Sequence, residues 1–303
     1  MLSRMKGVYA QVGESVLLEQ HAILDRIRSP EILAHRLLEL IKVEATEEAA
    51  WLRLELLDRA RQIPRPTTTQ IYVGAMNALA KHLGQRRWAQ KATSYIFYAR
   101  EILELIPDAQ LLYMLRNPWD IVASRQRRDP GTEAVLSTML GWNRGIRLAN
   151  ELRDAYPDRF RIVRYEDLTG KTEQTVEQLC HWLGEPFDHA LLDVPHVNPA
   201  ENKYALTSET RGINMSKTFT YHELLSKPDI AAVDLLVKRY RLNDALDRWY
   251  PDLPHALGES TRQNIRKAKW KLRLAPGRYA WHYTTAIKRS PAHLLARTLR
   301  RMQ

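Results

Sequence analysis

Arg116, Asp120 and Ser124 stand within the stretch QLLYMLRNPWDIVASRQRR at 110–128, and their types and order suit the binding of an anion. Leu111, Leu112, Tyr113, Met114 and Leu115 form a short apolar run that Arg116 ends. Pro118 then pre-sets a first helical turn, and Ile121, Val122 and Ser124 continue it, so the spacing predicts a buried strand delivering an arginine to a helix start. Phosphate is the natural guest. The free N–H groups and positive dipole end of such a helix attract it, Arg116 can add a forked pair of charged hydrogen bonds, and Ser124 a hydroxyl. Asp120 reads as a first-turn acid or an intrahelical partner rather than a ligand contact.

The elements that must hold these residues are numerous enough to form a full core. The chain has 303 residues, 45% of them hydrophobic, which allows one large domain or two small ones. No apolar run approaches the ~20 residues of a membrane span, and the first twenty residues hold no secretory apolar segment, so a cytoplasmic globular protein is expected. The lone Cys180 lies in the helical pattern EQLCHWLG, which excludes a disulfide framework or a multi-thiolate metal site within one chain and makes Cys180 a core residue. Net charge is +11, and its placement matters more than its size. From Ser260 onward there are twelve Lys or Arg and no Asp or Glu, which leaves 34 basic residues against 35 acidic ones upstream. The chain thus divides into a nearly neutral body, 1–258, and a basic helical extension, 259–303. The extension also carries Trp270, Tyr279, Trp281 and Tyr283. It fits either a solvated helical appendage or a surface for anionic lipid, polyanionic glycan or, last in rank, nucleic acid. The lipid reading would set the protein peripherally at the inner membrane surface.

Apolar periodicity makes the region from Glu14 to Leu83 helix-rich, with a break at Pro64 and Pro66. RRWAQKAT at 86–93 reads as a short strand, SYIFYAREILELI as a helix, 132–155 as a long amphipathic helix, FRIVRYEDL as a strand and TEQTVEQLCHWLG as a helix closed by Gly184. Strands separated by helices predict an α/β fold with a parallel sheet. From Pro186 to Ser226 the chain is polar and irregular, and 227–246 returns to helix. The irregular stretch suits a ligand-covering loop or disorder.

The pattern R-N-P-W-D-I-V-A-S resembles the 3′-phosphate-binding segment of the sulfotransferases that use 3′-phosphoadenosine 5′-phosphosulfate (PAPS), in particular their bacterial and tyrosylprotein branch. Two further stretches agree. WAQKATSYIFYAREILELIPDAQ resembles the family's K-x-[PT] turn before a helix, and RIVRYEDLTGKTEQTVEQLCHWLGEPFD its later strand and helix. Together these cover about 85–190, and their order and spacing are more specific than any one alone. The resemblance implies a three-layer fold of the P-loop nucleotide-binding type and sulfuryl transfer from PAPS to a hydroxyl, without a metal. Arg116 and Ser124 would hold the 3′-phosphate and Tyr165 would touch the adenine. In SETRGINMSKTF at 208–219, Arg211 would return to the 3′-phosphate, with a plain turn at Gly212 as the alternative. Lys91 would lie near the transferred group and the leaving oxygen.

The acceptor proton needs a base. MLSRMKGVYAQVGESVLL looks like the family stretch in which a helix, a short strand and a G-E pair supply a catalytic carboxylate, which makes Glu14 the candidate, against an acid in the first turn of a helix at 14–28. His189 and His196 are alternative bases. The glycine-rich P-x-S-G-T-[ST] loop that cradles the 5′-phosphosulfate in the family does not occur in these 303 residues. Because the resemblance begins almost at Met1, the first strand and that loop are expected upstream of it, either beyond a misplaced start or lost in an inactive relative. A non-catalytic sulfotransferase-like binding or scaffold protein is therefore the first rival. A P-loop kinase-like enzyme ranks last, since no G-x-x-x-x-G-K-[ST] sequence is present. The acceptor class is open. A glycan or glycolipid follows only from the basic, aromatic tail.

Overall fold

The computed structural model describes residues 4–14, 17–41, 46–62, 67–128, 132–194, 213, 218–251, 253 and 261–289. It is a helix-rich α/β fold whose chain divides into two compact units, Met1–Leu111 with Thr172–Ile213, and Leu112–Lys171 with Asn214–Gln303.

In unit 1, strand β1 (Val8–Glu14) pairs in parallel with β2 (Arg87–Lys91). Between them run α1 (Leu17–Leu24), α2 (Pro30–Ile41), α3 (Thr46–Gln62) and α4 (Thr68–His82). Their apolar faces meet in one core, where Leu37, Leu56, Ile71, Tyr72 and Met76 are fully buried. The Thr-Thr-Thr-Gln run fixes where α4 begins. The Thr67 hydroxyl accepts from the Gln70 N–H (3.2 Å) and the Gln70 side chain accepts from the Thr67 N–H (3.0 Å), a reciprocal cap that satisfies two orphan donors. After β2, a 3₁₀ turn at Tyr95–Tyr98 leads into α5 (Ala99–Leu105). Helix α9 (Thr172–Leu183) carries the buried Cys180, whose thiol is pushed up in pKa by burial and then by Glu185. It ends as its sequence requires. Gly184 takes φ 71°, and the Glu185 N–H reaches back to the Cys180 carbonyl at 2.9 Å.

Unit 2 is built on β3 (Leu111–Leu115), which pairs with β4 (Phe160–Arg164), together with α6 (Pro118–Arg128), α7 (Thr132–Ala155) and α8 (Tyr165–Gly170). The strand expected to run through Leu168 stops at Arg164, and Tyr165 already opens α8. Gly145 of α7 lets that helix approach β3 closely. A Cβ there would come within 2.6 Å of the Tyr113 hydroxyl oxygen. Helices α10 (Tyr221–Leu224), α11 (Lys227–Arg239), α12 (Asn243–Trp249) and α13 (Arg262–Arg289) complete the unit. The first half of the basic segment is thus not an appendage. Ala268 and Ala275 of α13 are fully buried, Leu272 packs on the core that α7 and α11 share, and Lys271 Nζ donates to Asp229 Oδ1 at 2.8 Å.

A buried acid in this core gives the fold a pH dependence. Asp234 on α11 is 3% exposed and accepts a hydrogen bond from Trp119 Nε1 at 3.0 Å. Burial raises its carboxyl from 3.8 to about 6, against the opposing pull of Trp119 and His222. The folded state therefore holds this proton more tightly than the unfolded chain. Stability from this group rises as pH falls from 6 toward 3.8, and above 6 the buried charge costs of the order of 1–3 kcal/mol. Asp234→Asn should accordingly gain in melting temperature on the parent at pH 8 compared with pH 4. A difference that does not change with pH, measured by thermal melts across this range, would refute the assignment.

Candidate functional site

The sequence at 116–120 builds a tightly wired strand-to-helix junction in unit 2. Asn117 caps α6. Its Oδ1 accepts from the Asp120 N–H (2.8 Å), its Nδ2 donates to Asp120 Oδ2 (2.8 Å), and its carbonyl accepts from Ile121 (3.2 Å). Pro118 has no N–H to offer. The helix start therefore presents fewer free donors than an uncapped one, because the Asn117 cap takes the Asp120 N–H. Glu166 of α8, 6% exposed, holds the same junction from the other side, accepting from the Asn117 N–H (2.9 Å), from Asn117 Nδ2 (3.0 Å) and from the Tyr250 hydroxyl (3.2 Å). Burial, with the Glu166 carboxylate as the next cause, pushes the Tyr250 hydroxyl up in pKa, so it remains a proton donor.

This wiring presents Arg116. Its guanidinium lies over the Tyr165 ring, Cζ to ring centre 4.6 Å, and Nη2 is 3.6 Å from Asp120 Oδ2. The Arg116 carbonyl accepts from Trp142 Nε1 at 2.9 Å, which pins the backbone at the strand end. A ring on one face and a carboxylate on one edge fix the plane of the guanidinium, and its side chain stays 19% exposed. Ser124 lies one helical turn beyond Asp120, on the same face of α6. A cationic fork at the strand end with a hydroxyl eight residues further along is a donor set suited to a phosphate.

Asp120 does more than complement a dipole. It also accepts from the Phe219 N–H (2.7 Å) and the Tyr221 N–H (3.0 Å), bracketing the end of the irregular loop to the junction. Phe219 takes φ 57°, a left-handed conformation costly for a residue with a Cβ, and the Asp120 bond helps to hold it there.

In unit 1 the second group of candidate residues lies at the ends of the two parallel strands. Glu14 closes β1, Lys91 closes β2, and the two are Cα partners across the pair, after an irregularity in register between Ala10 and Glu14. Lys91 is exposed. The turn after it is anchored from below, where the buried Ser94 hydroxyl donates to Glu19 of α1 and Gln90 Nε2 donates to the Tyr95 hydroxyl oxygen at 3.1 Å. Carboxyl ends of parallel strands are where open α/β sheets carry their chemistry.

A family model described as the sulfotransferase family matches residues 4–189, more than half of the chain. The chain belongs to the sulfotransferase family. Two solved structures are similar to it. The sulfotransferase domain of the Synechococcus PCC 7002 olefin synthase is 18% identical, with 80% of this chain and 95% of that one covered and a TM-score of 0.47. The sulfotransferase domain from the curacin biosynthetic pathway is 15% identical, with 88% and 97% covered and a TM-score of 0.37. No curated protein matches.

For this sulfotransferase, the structure brings Arg116 against Tyr165 and sets Glu14 opposite Lys91, each pair within its own unit. Glu14 is the last residue of β1 and not part of a helix's first turn. His189 is exposed in a 3₁₀ turn at His189–Leu191, with Nδ1 3.6 Å from Glu173. Arg211 and His196 lie outside the described residues. The residues that sequence reasoning missed are Asn117, Glu166 and Tyr250. An Asn three residues before an Asp at a helix start is a capping signal, and it could have exposed the first of them.

Proposed function

We propose that this sulfotransferase moves a sulfuryl group from PAPS to a hydroxyl, with a glycan or glycolipid as the acceptor class. The observation that carries the reading is the held guanidinium of Arg116 beside Tyr165 at the end of β3, in a chain of this family. Arg116 and Ser124 take the 3′-phosphate, Tyr165 lies along the nucleotide, and Arg211 completes that end. When bound, the donor supplies an activated sulfuryl group and a phosphate leaving group.

The chain's own residues do the rest. Sulfuryl transfer, like phosphoryl transfer, has a loose transition state, so the protein chiefly positions the reactants and stabilises spreading negative charge. The Lys91 ammonium does this as a compact, movable charge at the leaving oxygen. The Glu14 carboxylate accepts the proton of the acceptor hydroxyl as the new S–O bond forms and the old one breaks.

Transfer of labelled sulfate from PAPS to a panel of hydroxyl acceptors tests the proposal. Labelled sulfate esters are the expected product. Binding of the donor without any ester would favour the second reading, a binding protein, whose supporting observation is that these 303 residues contain no P-x-S-G-T stretch.

A further inference from the structure

Helix α13 carries none of the residues proposed for sulfuryl transfer. Its inward face is fixed by Ala268, Lys271, Leu272 and Ala275, which pack into unit 2, so the 3.6-residue period determines which residues face out. Trp270 falls on the opposite side, 59% exposed, with Leu274 one turn later at 52%. Around them stand Arg266, Lys267, Lys269 and Arg273, all exposed. From Ser260 to the last residue the sequence holds no acid that could neutralise this face.

We infer that the outward face of α13 is a docking surface for an anionic lipid bilayer. Two properties of the face select that partner among anionic ones. The exposed Arg and Lys residues around Trp270 complement the charge of anionic headgroups, each residue strengthening association roughly fivefold when close to the surface. An exposed tryptophan and leucine interleaved with those charges gain nothing from a polyanion dissolved in water. They do gain from the headgroup and acyl boundary, where an amphipathic helix lies in the plane and an indole ring settles.

Sedimentation of the full chain with vesicles tests this, using phosphatidylcholine alone and phosphatidylcholine mixed with phosphatidylglycerol. Binding is expected only to the mixed vesicles. The triple variant Arg266→Gln, Lys267→Gln, Arg273→Gln should weaken it roughly a hundredfold. Trp270→Ala should weaken it roughly tenfold. Because all four positions are exposed, melting curves should match the parent, and a vesicle-binding loss in a variant that melts like the parent supports the inference. Equal binding to both vesicle types, or mixed-vesicle binding that survives the triple substitution, would overturn it. So would tighter retention on heparin or duplex DNA combined with vesicle binding that ignores Trp270→Ala.

Discussion

Replacing Glu166 by alanine is expected to destabilise the protein by about 3–5 kcal/mol, a fall in melting temperature on the order of 10 °C. The carboxylate is buried and takes hydrogen bonds from the Asn117 N–H, the Asn117 side-chain amide and the Tyr250 hydroxyl. Alanine would leave these buried donors in the core of unit 2 without the carboxylate that accepts from them. Glu166→Gln keeps one oxygen for Asn117, and the Tyr250 hydroxyl can turn to accept from the new amide, so its cost should be about 1 kcal/mol. The damage in Glu166→Ala should also reach the junction that presents Arg116, because Asn117 is shared between Glu166 and the cap of α6. Circular dichroism melts check the prediction, and an alanine variant melting within a degree or two of the parent would contradict it.

The second large effect belongs to Lys91. Lys91→Ala should lower the turnover number by about two to three orders of magnitude while leaving the melting curve unchanged, since the side chain is exposed at the end of β2. Lys91→Arg keeps the charge but replaces a compact ammonium with a broad fork, so it should recover only part of the rate. Glu14→Gln, by itself, should cost about two to four orders relative to the parent, with a loss of the pH dependence that a carboxylate base imposes. Rates under saturating donor and acceptor, measured beside donor affinity, separate these effects from weakened binding. A Lys91→Ala enzyme with parental turnover would remove Lys91 from the transfer step.

Much of this architecture was legible in the sequence where local physics decides it. The amphipathic stretch at 132–155 is α7 with the same limits, and Gly184 ends α9 because only glycine takes a positive φ there without strain. The end of β3 at Leu115 followed from an apolar run meeting Arg116 and Pro118. What was not legible depends on partners distant in sequence. For Glu14 the resemblance implied a short strand before the G-E pair while the residues alone suit strand or helix, and it is the pairing with β2, more than seventy residues away, that makes it strand. Tyr165 leaves the strand because Glu166 must turn inward to meet Asn117 and Tyr250. The helix start looked open to an anion because the cap that Asn117 forms is a side-chain arrangement rather than a hydropathy pattern. The basic segment read as an extension because charge dominates its composition, whereas small residues at Ala268 and Ala275 seat its helix α13 against α7 and α11.

The proposed donor site depends most on Arg116, the residue proposed to hold the 3′-phosphate. Isothermal calorimetry with adenosine 3′,5′-bisphosphate, on the parent and on Arg116→Ala, measures this without requiring turnover or a known acceptor. Loss of a forked, charge-assisted pair of hydrogen bonds is expected to weaken binding by roughly 100- to 10,000-fold. Parental affinity in an Arg116→Ala variant that melts like the parent would contradict it.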